Sequence, residues 1–212
     1  MEENVALGPF TTFKIGGVSR YFCLISTKED LLGAINFTES RKIPFFVLGS
    51  GSNVLISDQG FSGLVIKFKN KNLEIKEEKE NFLVSVDAGV IWDDLVEQLI
   101  SKKINGFENL SLIPGTVGGA VVQNIGAYGV ELESFVDSVR VFDVRLKKEI
   151  IFANKNCKFS YRSSLFKKNN NLIVIAATFK FSKSQRVNIN YKDLDKHFGD
   201  RIDITPIEVR EA

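Results

Sequence analysis

Apolar residues along the chain cluster in short runs that are separated by turn residues such as Gly, Asn and Asp. Short apolar runs bounded in this way are typical of β-strands. The runs that we interpret as strands are Tyr21 to Ile25, Phe45 to Leu48, Leu64 to Phe68, Phe82 to Val86, Val139 to Val144 and Leu172 to Phe181.

Two longer stretches instead repeat their apolar residues with the period of an α-helix. The first runs from Thr27 to Ile43, and its Thr27 and Asp30 have the spacing of a capping box. The second runs from Ile91 to Ile104 and places its large apolar side chains on one face. Strands and helices mixed in this way predict an α+β fold.

Two polar stretches divide the chain. The segment from Lys71 to Asn81 is dense in charge and indicates a hairpin tip or a boundary between two units of structure. From Ser182 onward the apolar content falls, Pro206 appears, and the final residues have the pattern of a helix that is just beginning.

Composition narrows the functional classes. The chain has 212 residues, of which 44% are hydrophobic and 25% charged, as in an ordinary globular protein. Its 28 basic and 26 acidic residues give a net charge of +2, which disfavours binding to nucleic acid or to an anionic membrane. We interpret the lysines between Lys67 and Lys76 as a solvated strand face.

Cysteine usage and the N-terminus predict a cytoplasmic protein. Cys23 and Cys157 have no second cysteine or histidine at ligand spacing, so a zinc site is not expected. The N-terminus is acidic rather than basic, and the longest apolar run, Leu172 to Phe179, is too short to span a bilayer.

The first chemical signal is a run of small residues after a predicted strand: Gly49, Ser50, Gly51, Ser52 and Asn53. A turn of this composition lets backbone N–H groups approach an anion, with serine hydroxyls as further donors. A tight turn without a ligand is the alternative interpretation.

The second signal is a glycine-rich stretch, Ile113 to Gly129, with five glycines between residues 115 and 129. So many glycines are costly to order unless the backbone approaches something closely. We predict an irregular loop against a large planar ligand that carries a pyrophosphate; a loop without a ligand is the alternative.

These strings occur in the order seen in one enzyme family, the UDP-N-acetylenolpyruvoylglucosamine reductases, which the chain therefore resembles. The strings are Thr12-Phe13-Lys14-Ile15-Gly16-Gly17, Leu48 to Asn53, Ile113-Pro114-Gly115-Thr116-Val117-Gly118-Gly119, Gln123-Asn124-Ile125-Gly126-Ala127-Tyr128-Gly129 and Tyr161-Arg162. One departure is Val121, where the family often has a proline.

The resemblance implies a two-subdomain FAD-binding unit of the vanillyl-alcohol-oxidase (PCMH) type, with a truncated third domain. We place the subdomains at residues 1–70 and 71–183, and the incomplete start of a substrate-binding domain at 184–212. It also implies non-covalent FAD. The residues that would bind it are Gly49, Ser50, Gly51, Ser52, Asn53, Pro114, Gly115, Thr116, Gly118, Gly119, Asn124, Ile125, Gly126, Ala127 and Tyr128.

In this family, hydride passes from NADPH to the flavin and then to an enolpyruvyl ether carried by a UDP-sugar. The resemblance implies that Arg162 is catalytic and stabilises the developing negative charge, as the planar guanidinium fork suits a carboxylate. Tyr161, Arg162 and Tyr191 would bind substrate, with Tyr191 typical of the subtype that carries an extra tyrosine loop. An exposed arginine and a surface tyrosine are the alternatives. We expect a monomer.

The family's Gly-Ser-Phe-Phe-Lys-Asn-Pro motif, whose serine donates the proton, does not occur in these 212 residues. We therefore expect a truncated form, either a fragment of a complete reductase or a short relative, that lacks the proton donor. The alternative functions are an FAD-binding module without turnover and another oxidase on the same flavin scaffold.

Overall fold

The computed structural model describes all residues, 1–212. The N-terminal part forms a four-stranded sheet in which β2 and β3 run parallel to β4 and β1 runs antiparallel to β2, in the order β1-β2-β4-β3. Its strands are β1 (Glu2–Ala6), β2 (Val18–Ile25), β3 (Phe45–Val47) and β4 (Phe61–Phe68). Helix α1 (Lys28–Arg41) connects β2 to β3.

The second sheet is antiparallel and has five strands in the order β10-β9-β11-β6-β5. A separate two-stranded pair, β7 and β8, lies between β6 and β9 in the chain. The strands are β5 (Leu73–Glu77), β6 (Asn81–Asp87), β7 (Gly126–Ala127), β8 (Val130–Glu131), β9 (Val136–Asp143), β10 (Lys148–Ala153) and β11 (Leu172–Ser182).

Five further helices accompany the second sheet and the C-terminal residues. They are α2 (Trp92–Ser101), α3 (Val117–Gln123), α4 (Leu165–Lys168), α5 (Lys192–Phe198) and α6 (Pro206–Glu211). No helix combines the length and the apolar character that crossing a membrane would need.

The largest core lies between the second sheet and helices α2 and α3. Trp92 and Phe107 are fully buried there, with ring centroids 4.8 Å apart, and the Trp92 Nε1–H donates to the Leu110 carbonyl at 2.8 Å. A second core joins the two sheets, because Phe142 and Ile173 from the second sheet pack with residues of α1, β2 and β4.

The predicted α+β class is confirmed, as are all six predicted strands and both predicted helices. Both hydrogen bonds of the predicted capping box are present: the Thr27 side chain accepts from the Asp30 N–H, and the Asp30 side chain accepts from the Thr27 N–H. The prediction of an irregular loop from Ile113 to Gly129 was wrong in part, because α3 lies within it. Residues 71–81 include β5 and its turn into β6, so they form the predicted hairpin tip together with a strand that was missed. The domain boundaries stay a prediction.

Candidate functional site

Two glycine-rich segments, one from each half of the chain, meet in space. The first glycine loop (residues 49–53) follows β3, and the second glycine loop (residues 113–119) leads into α3. The Ser52 hydroxyl donates to the Pro114 carbonyl at 2.9 Å, and a Cβ on Gly49 would stand 3.0 Å from Thr116 Oγ1. The fold therefore places the two predicted ligand-binding loops side by side.

The first glycine loop is supported by the N-terminal segment. Gly51 has φ +75°, and a Cβ there would overlap the Phe10 carbonyl, so this glycine is required by the chain's own packing. The Thr12 N–H donates to the Gly51 carbonyl at 3.1 Å. The Thr12-to-Gly17 string thus has a structural part in the site, because it braces the loop from behind.

Lys67 also contacts the first glycine loop. Its ammonium donates to the Gly49 carbonyl, and the side chain is half-buried. Burial, and secondarily the nearby charge of Lys71, lower the pKa of Lys67. The interpretation of Lys67 as part of a solvated strand face is therefore wrong for this residue, and alternation along the strand could not reveal it because β3 and its loop come from elsewhere in the chain.

The second glycine loop is held by the start of α2. The Trp92 N–H donates to the Gly115 carbonyl at 3.1 Å, and Asp93 Oδ1 accepts from the Leu112 N–H at 2.7 Å. Gly118 is buried, and a Cβ there would stand 2.9 Å from the Cβ of Ala88. One glycine of the motif therefore serves helix packing rather than ligand approach.

Other groups in the two loops are free to meet a ligand. None of the backbone N–H groups of residues 49–53 donates to another backbone or side-chain group of the chain. Gly119 is exposed, and the nearest atom to a Cβ built on it is Thr116 Oγ1, at 3.6 Å. Donors without partners, next to a glycine that packing does not require, fit the diphosphate of a dinucleotide cofactor.

The segment after α3 divides into a buried part and an exposed part. Asn124 is buried, its Nδ2 donates to the Ser160 carbonyl at 3.1 Å, and its Oδ1 accepts from the Glu133 N–H at 3.0 Å. Ile125 belongs to the large core. The half-buried backbone of β7 and the half-exposed Tyr128 are the parts of this segment that a ligand can reach.

Arg162 lies in a tight turn that Asn124 ties to the end of α3. Paired hydrogen bonds of 3.0 and 2.9 Å between Ser160 and Ser163 close this turn, and Arg162 adopts φ +53°. Its guanidinium is exposed, pairs with no carboxylate and lies 5.9 Å from the ring centroid of the exposed Tyr161. The backbone is fixed while the charge stays available, which suits an anion-binding side chain.

Tyr191, which precedes α5, packs edge-to-face on Tyr128 with ring centroids 5.5 Å apart. This contact places the residue before α5 next to Tyr128, near the end of the glycine-rich stretch from Ile113 to Gly129. Asp93 could not be identified from the sequence as part of the site, because an acidic residue in the first turn of a helix is an ordinary feature of helix starts.

A cavity of about 210 Å³ opens elsewhere, between the start of α1 and the second sheet. Its lining includes the buried Asp87 and the exposed Arg140, whose charged groups are 3.7 Å apart, and no residue of the two glycine loops. We place the candidate site at the loops and not at this cavity, because the free backbone donors are at the loops.

Comparison with known proteins identifies the family of the chain. Residues 19–146 match the family model of an FAD binding domain. A UDP-N-acetylenolpyruvoylglucosamine reductase from Cutibacterium acnes is 38% identical, over 99% of this chain and 57% of that relative. One from Pseudoalteromonas translucida is 46% identical, over 74% of this chain and 45% of that relative. The chain thus spans about half the length of these curated relatives.

Solved structures show a similar fold. The crystal structure of the UDP-N-acetylenolpyruvylglucosamine reductase from Thermus caldophilus aligns with a TM-score of 0.74 at 26% identity, over 99% of this chain and 68% of that one. p-Cresol methylhydroxylase aligns with a TM-score of 0.57 at 17% identity, over 79% of this chain, which is a likeness of fold. The predicted resemblance and the PCMH-type fold are confirmed.

Proposed function

Because this chain belongs to the FAD binding domain family, we propose that its two glycine loops bind FAD non-covalently as part of a reductase that makes UDP-N-acetylmuramate. The substrate would be UDP-N-acetylglucosamine enolpyruvate and the reductant NADPH. The observation that carries the proposal is the meeting of the two loops at Ser52 and Pro114, with unpartnered backbone donors beside it. We further propose a cytoplasmic monomer that acts in peptidoglycan precursor synthesis.

Bound FAD would supply a site that accepts a hydride and passes it on. The N–H groups of residues 49–53 would donate to its phosphate oxygens, and Gly119 would let the backbone approach closely. The half-buried backbone of Gly126 and Ala127 and the half-exposed ring of Tyr128 would lie beside the reacting atoms. These roles are proposals for residues that the fold brings together.

Arg162 would hold the carboxylate of the enolpyruvyl group. Hydride addition to the vinyl carbon pushes negative charge into that carboxylate, and a fixed cation at this point stabilises the charge as it develops. The exposed guanidinium on a braced turn provides such a cation. Tyr191 and Tyr161 would contact the UDP-sugar from the rim of the site.

Flavin content is the first test. The purified chain, loaded with FAD, is precipitated with acid, and the absorbance of the supernatant and the pellet is measured. We expect all flavin in the supernatant, since both cysteines are buried and lie outside the two loops. Flavin retained in the pellet would contradict non-covalent binding, and a chain that takes up no FAD would refute the proposal.

Turnover is the second test, and it separates the three candidate functions. The FAD-loaded chain is reduced with NADPH and mixed with UDP-N-acetylglucosamine enolpyruvate in a stopped-flow instrument. Reoxidation that depends on the UDP-sugar supports the reductase, stoichiometric flavin with no response supports a binding module, and consumption of oxygen with a small alcohol supports an oxidase. We expect slow reoxidation by these 212 residues, because the motif that the family resemblance assigns to the proton donor does not occur among them.

The role of Arg162 is tested by comparing Arg162→Met with Arg145→Met. Both arginines are exposed, but Arg145 lies near the turn between β9 and β10, away from the loops. We expect Arg162→Met to weaken binding of the UDP-sugar while FAD binding is unchanged, and Arg145→Met to alter neither. Equal substrate affinity in the two variants would remove Arg162 from the proposal.

A further inference from the structure

The C-terminal segment (residues 184–212) is attached to the residues that flank the second glycine loop. The segment has a small core of its own, in which Leu194, Phe198 and Val209 are buried. Two asparagines hold its beginning, since Asn105 Nδ2 donates to the Gln185 carbonyl at 3.0 Å and Asn109 Nδ2 to the Asn188 carbonyl at 2.8 Å. Its last helix is held by a charge pair.

That pair joins Arg210 on α6 to Asp93 on α2. Both contacts are short, with Arg210 Nη1 2.6 Å from Asp93 Oδ1 and Nη2 2.7 Å from Oδ2, which is the bidentate geometry of the strongest arginine–carboxylate pairs. The two side chains are 19% and 27% exposed, so solvent screens this pair less than it screens a fully exposed ion pair. The hydrogen bond from Arg210 holds the pKa of Asp93 below its usual range.

Asp93 also accepts a hydrogen bond from Leu112, the residue that precedes the second glycine loop. The oxygen that meets Arg210 Nη1 also accepts from the N–H of Leu112 at 2.7 Å. Leu112 has φ +61°, a conformation that costs energy for a leucine and persists only where neighbours hold it. Three residues further on, the Gly115 carbonyl is held by the N–H of Trp92, the residue before Asp93.

We infer that Asp93 is a positioning residue whose ion pair with Arg210 couples the docking of the C-terminal segment to the geometry of the second glycine loop and so to cofactor affinity. The inference rests on the proposed binding of FAD at that loop. Coupling of this kind is reciprocal, so FAD strengthens the docking of the segment as much as the docked segment strengthens FAD binding. A ligand that engages the segment would then also tighten the flavin.

The test compares Arg210→Leu with Arg201→Leu in the full 212-residue chain. Arg201 is a matched control because it pairs with Glu208 at 2.7 Å inside the same segment and has no ion pair with α2. Affinity for FAD is measured by quenching of flavin fluorescence, and thermal melting verifies that each variant is folded. We expect roughly five- to tenfold weaker FAD binding in Arg210→Leu, the lower range of measured couplings, and no change in Arg201→Leu.

Three further variants separate positioning from general destabilisation. Asp93→Asn keeps an acceptor for the Leu112 N–H but loses the charge pair, and the double variant with Arg210→Leu should bind FAD no more weakly than either single variant. Arg210→Lys keeps a cation and should recover part of the affinity. In hydrogen exchange, the amides of residues 112–119 should exchange faster in Arg210→Leu than in Arg201→Leu.

Failure of this inference is distinguishable from failure of the proposed function. A wild-type chain that binds no FAD refutes the proposed function. A wild-type chain that binds FAD, with Arg210→Leu within twofold of it, refutes the coupling alone. Equal losses in Arg210→Leu and Arg201→Leu, or additive losses in the double variant, also refute the coupling, because the effect would then not pass through Asp93.

Discussion

At the scale of single residues, the glycines of the site fall into two groups that look alike in sequence. Gly51 and Gly118 are required by the fold, because a Cβ on either would collide with neighbouring atoms. Gly119 is exposed, and a Cβ on it would meet only Thr116 Oγ1, at an ordinary contact distance of 3.6 Å. A glycine that the chain itself does not need points to an approaching ligand.

Replacing Gly119 with alanine should therefore separate stability from binding. Gly33 is the matched control, as it too is an exposed glycine inside a helix, and a Cβ there would have nothing within 4 Å. Gly33→Ala should raise the free energy of unfolding by up to about 1 kcal/mol, as for alanine over glycine in a helix, and leave FAD affinity unchanged. Gly119→Ala should leave the chain as stable or more so but weaken FAD binding, as measured by fluorescence titration.

The contradicting outcome for this pair is equally clear. If Gly119→Ala binds FAD as well as Gly33→Ala does, the cofactor backbone does not pass over this residue. If Gly119→Ala instead lowers the melting temperature, then the glycine has a structural part that its surroundings do not explain.

The two cysteines should be inert in the folded chain. Burial raises the pKa of Cys23 to about 11 and that of Cys157 to about 12, so at pH 8 hardly any reactive thiolate is present in either. We expect iodoacetamide at pH 8 to label neither cysteine in the native chain and both in urea, as read by mass spectrometry. Labelling of the native chain at the rate of a free thiol would show that these sites open readily.

The sequence was a better guide to the loops of the candidate site than to the side chains that contact those loops. Glycine and serine clusters stand out along the chain, and so the loops at 49–53 and 113–119 could be predicted. The contacts of Lys67 with Gly49 and of Asp93 with Arg210 could not, since each joins residues distant in sequence and neither residue type is unusual where it stands. Asn124 was assigned to the cofactor, but both ends of its buried side chain bond to the chain itself.

At the scale of elements, strong apolar runs and helical periodicity were sufficient to predict strands and helices. Strands with few apolar residues were missed. The missed strands β1, β5 and β10 lie at the edges of their sheets, and β1 has mostly exposed side chains. Such edge strands need little apolar character, since only one side pairs with the sheet. Helix α3 was missed because its glycines favour a loop, whereas Thr116 caps it and Ala88 accommodates Gly118.

The capping box of α1 provides a test at this scale. Thr27→Ala removes the side-chain oxygen that accepts from the Asp30 N–H, and should lower the free energy of unfolding by about 1 kcal/mol in urea titrations. Hydrogen bonds from the backbone N–H groups of Ser26 and Thr27 hold the pKa of Asp30 below its usual value. The stabilisation that comes from the hydrogen bonds to the ionised Asp30 is therefore present at neutral pH. It is lost as the pH falls through the folded-state pKa of Asp30. An unchanged urea midpoint at pH 7 would contradict the prediction.

At the scale of the whole molecule, the second sheet contributes to two cores at once. Ile173 of β11 packs with α1 and the first sheet, while its neighbour Val174 packs with the core around Trp92. Successive side chains of a strand point to opposite faces, so one strand ties both halves together. The two glycine loops are carried by these two halves.

A ligand that touches both loops should therefore stabilise the whole chain. At a hundredfold excess over its Kd, FAD adds about 2.7 kcal/mol by mass action, which corresponds to a melting temperature higher by roughly 5–10 °C for a chain of this size. Riboflavin has no phosphate to meet the free N–H groups of residues 49–53 and should give a much smaller shift. Equal shifts with FAD and riboflavin in scanning fluorimetry would argue against binding of the diphosphate by the loops.

The contact between Ser52 and Pro114 joins residues 62 positions apart and links the loop after β3 to the loop before α3. A contact so distant along the chain must wait until slow, non-local strand pairing has brought its ends together. The candidate cofactor site is therefore not formed in partly folded states, so flavin has no site to bind before folding is nearly complete. FAD added to an unfolded chain should leave the refolding rate unchanged and should slow unfolding, so its benefit to the cell would be a longer lifetime of the finished protein.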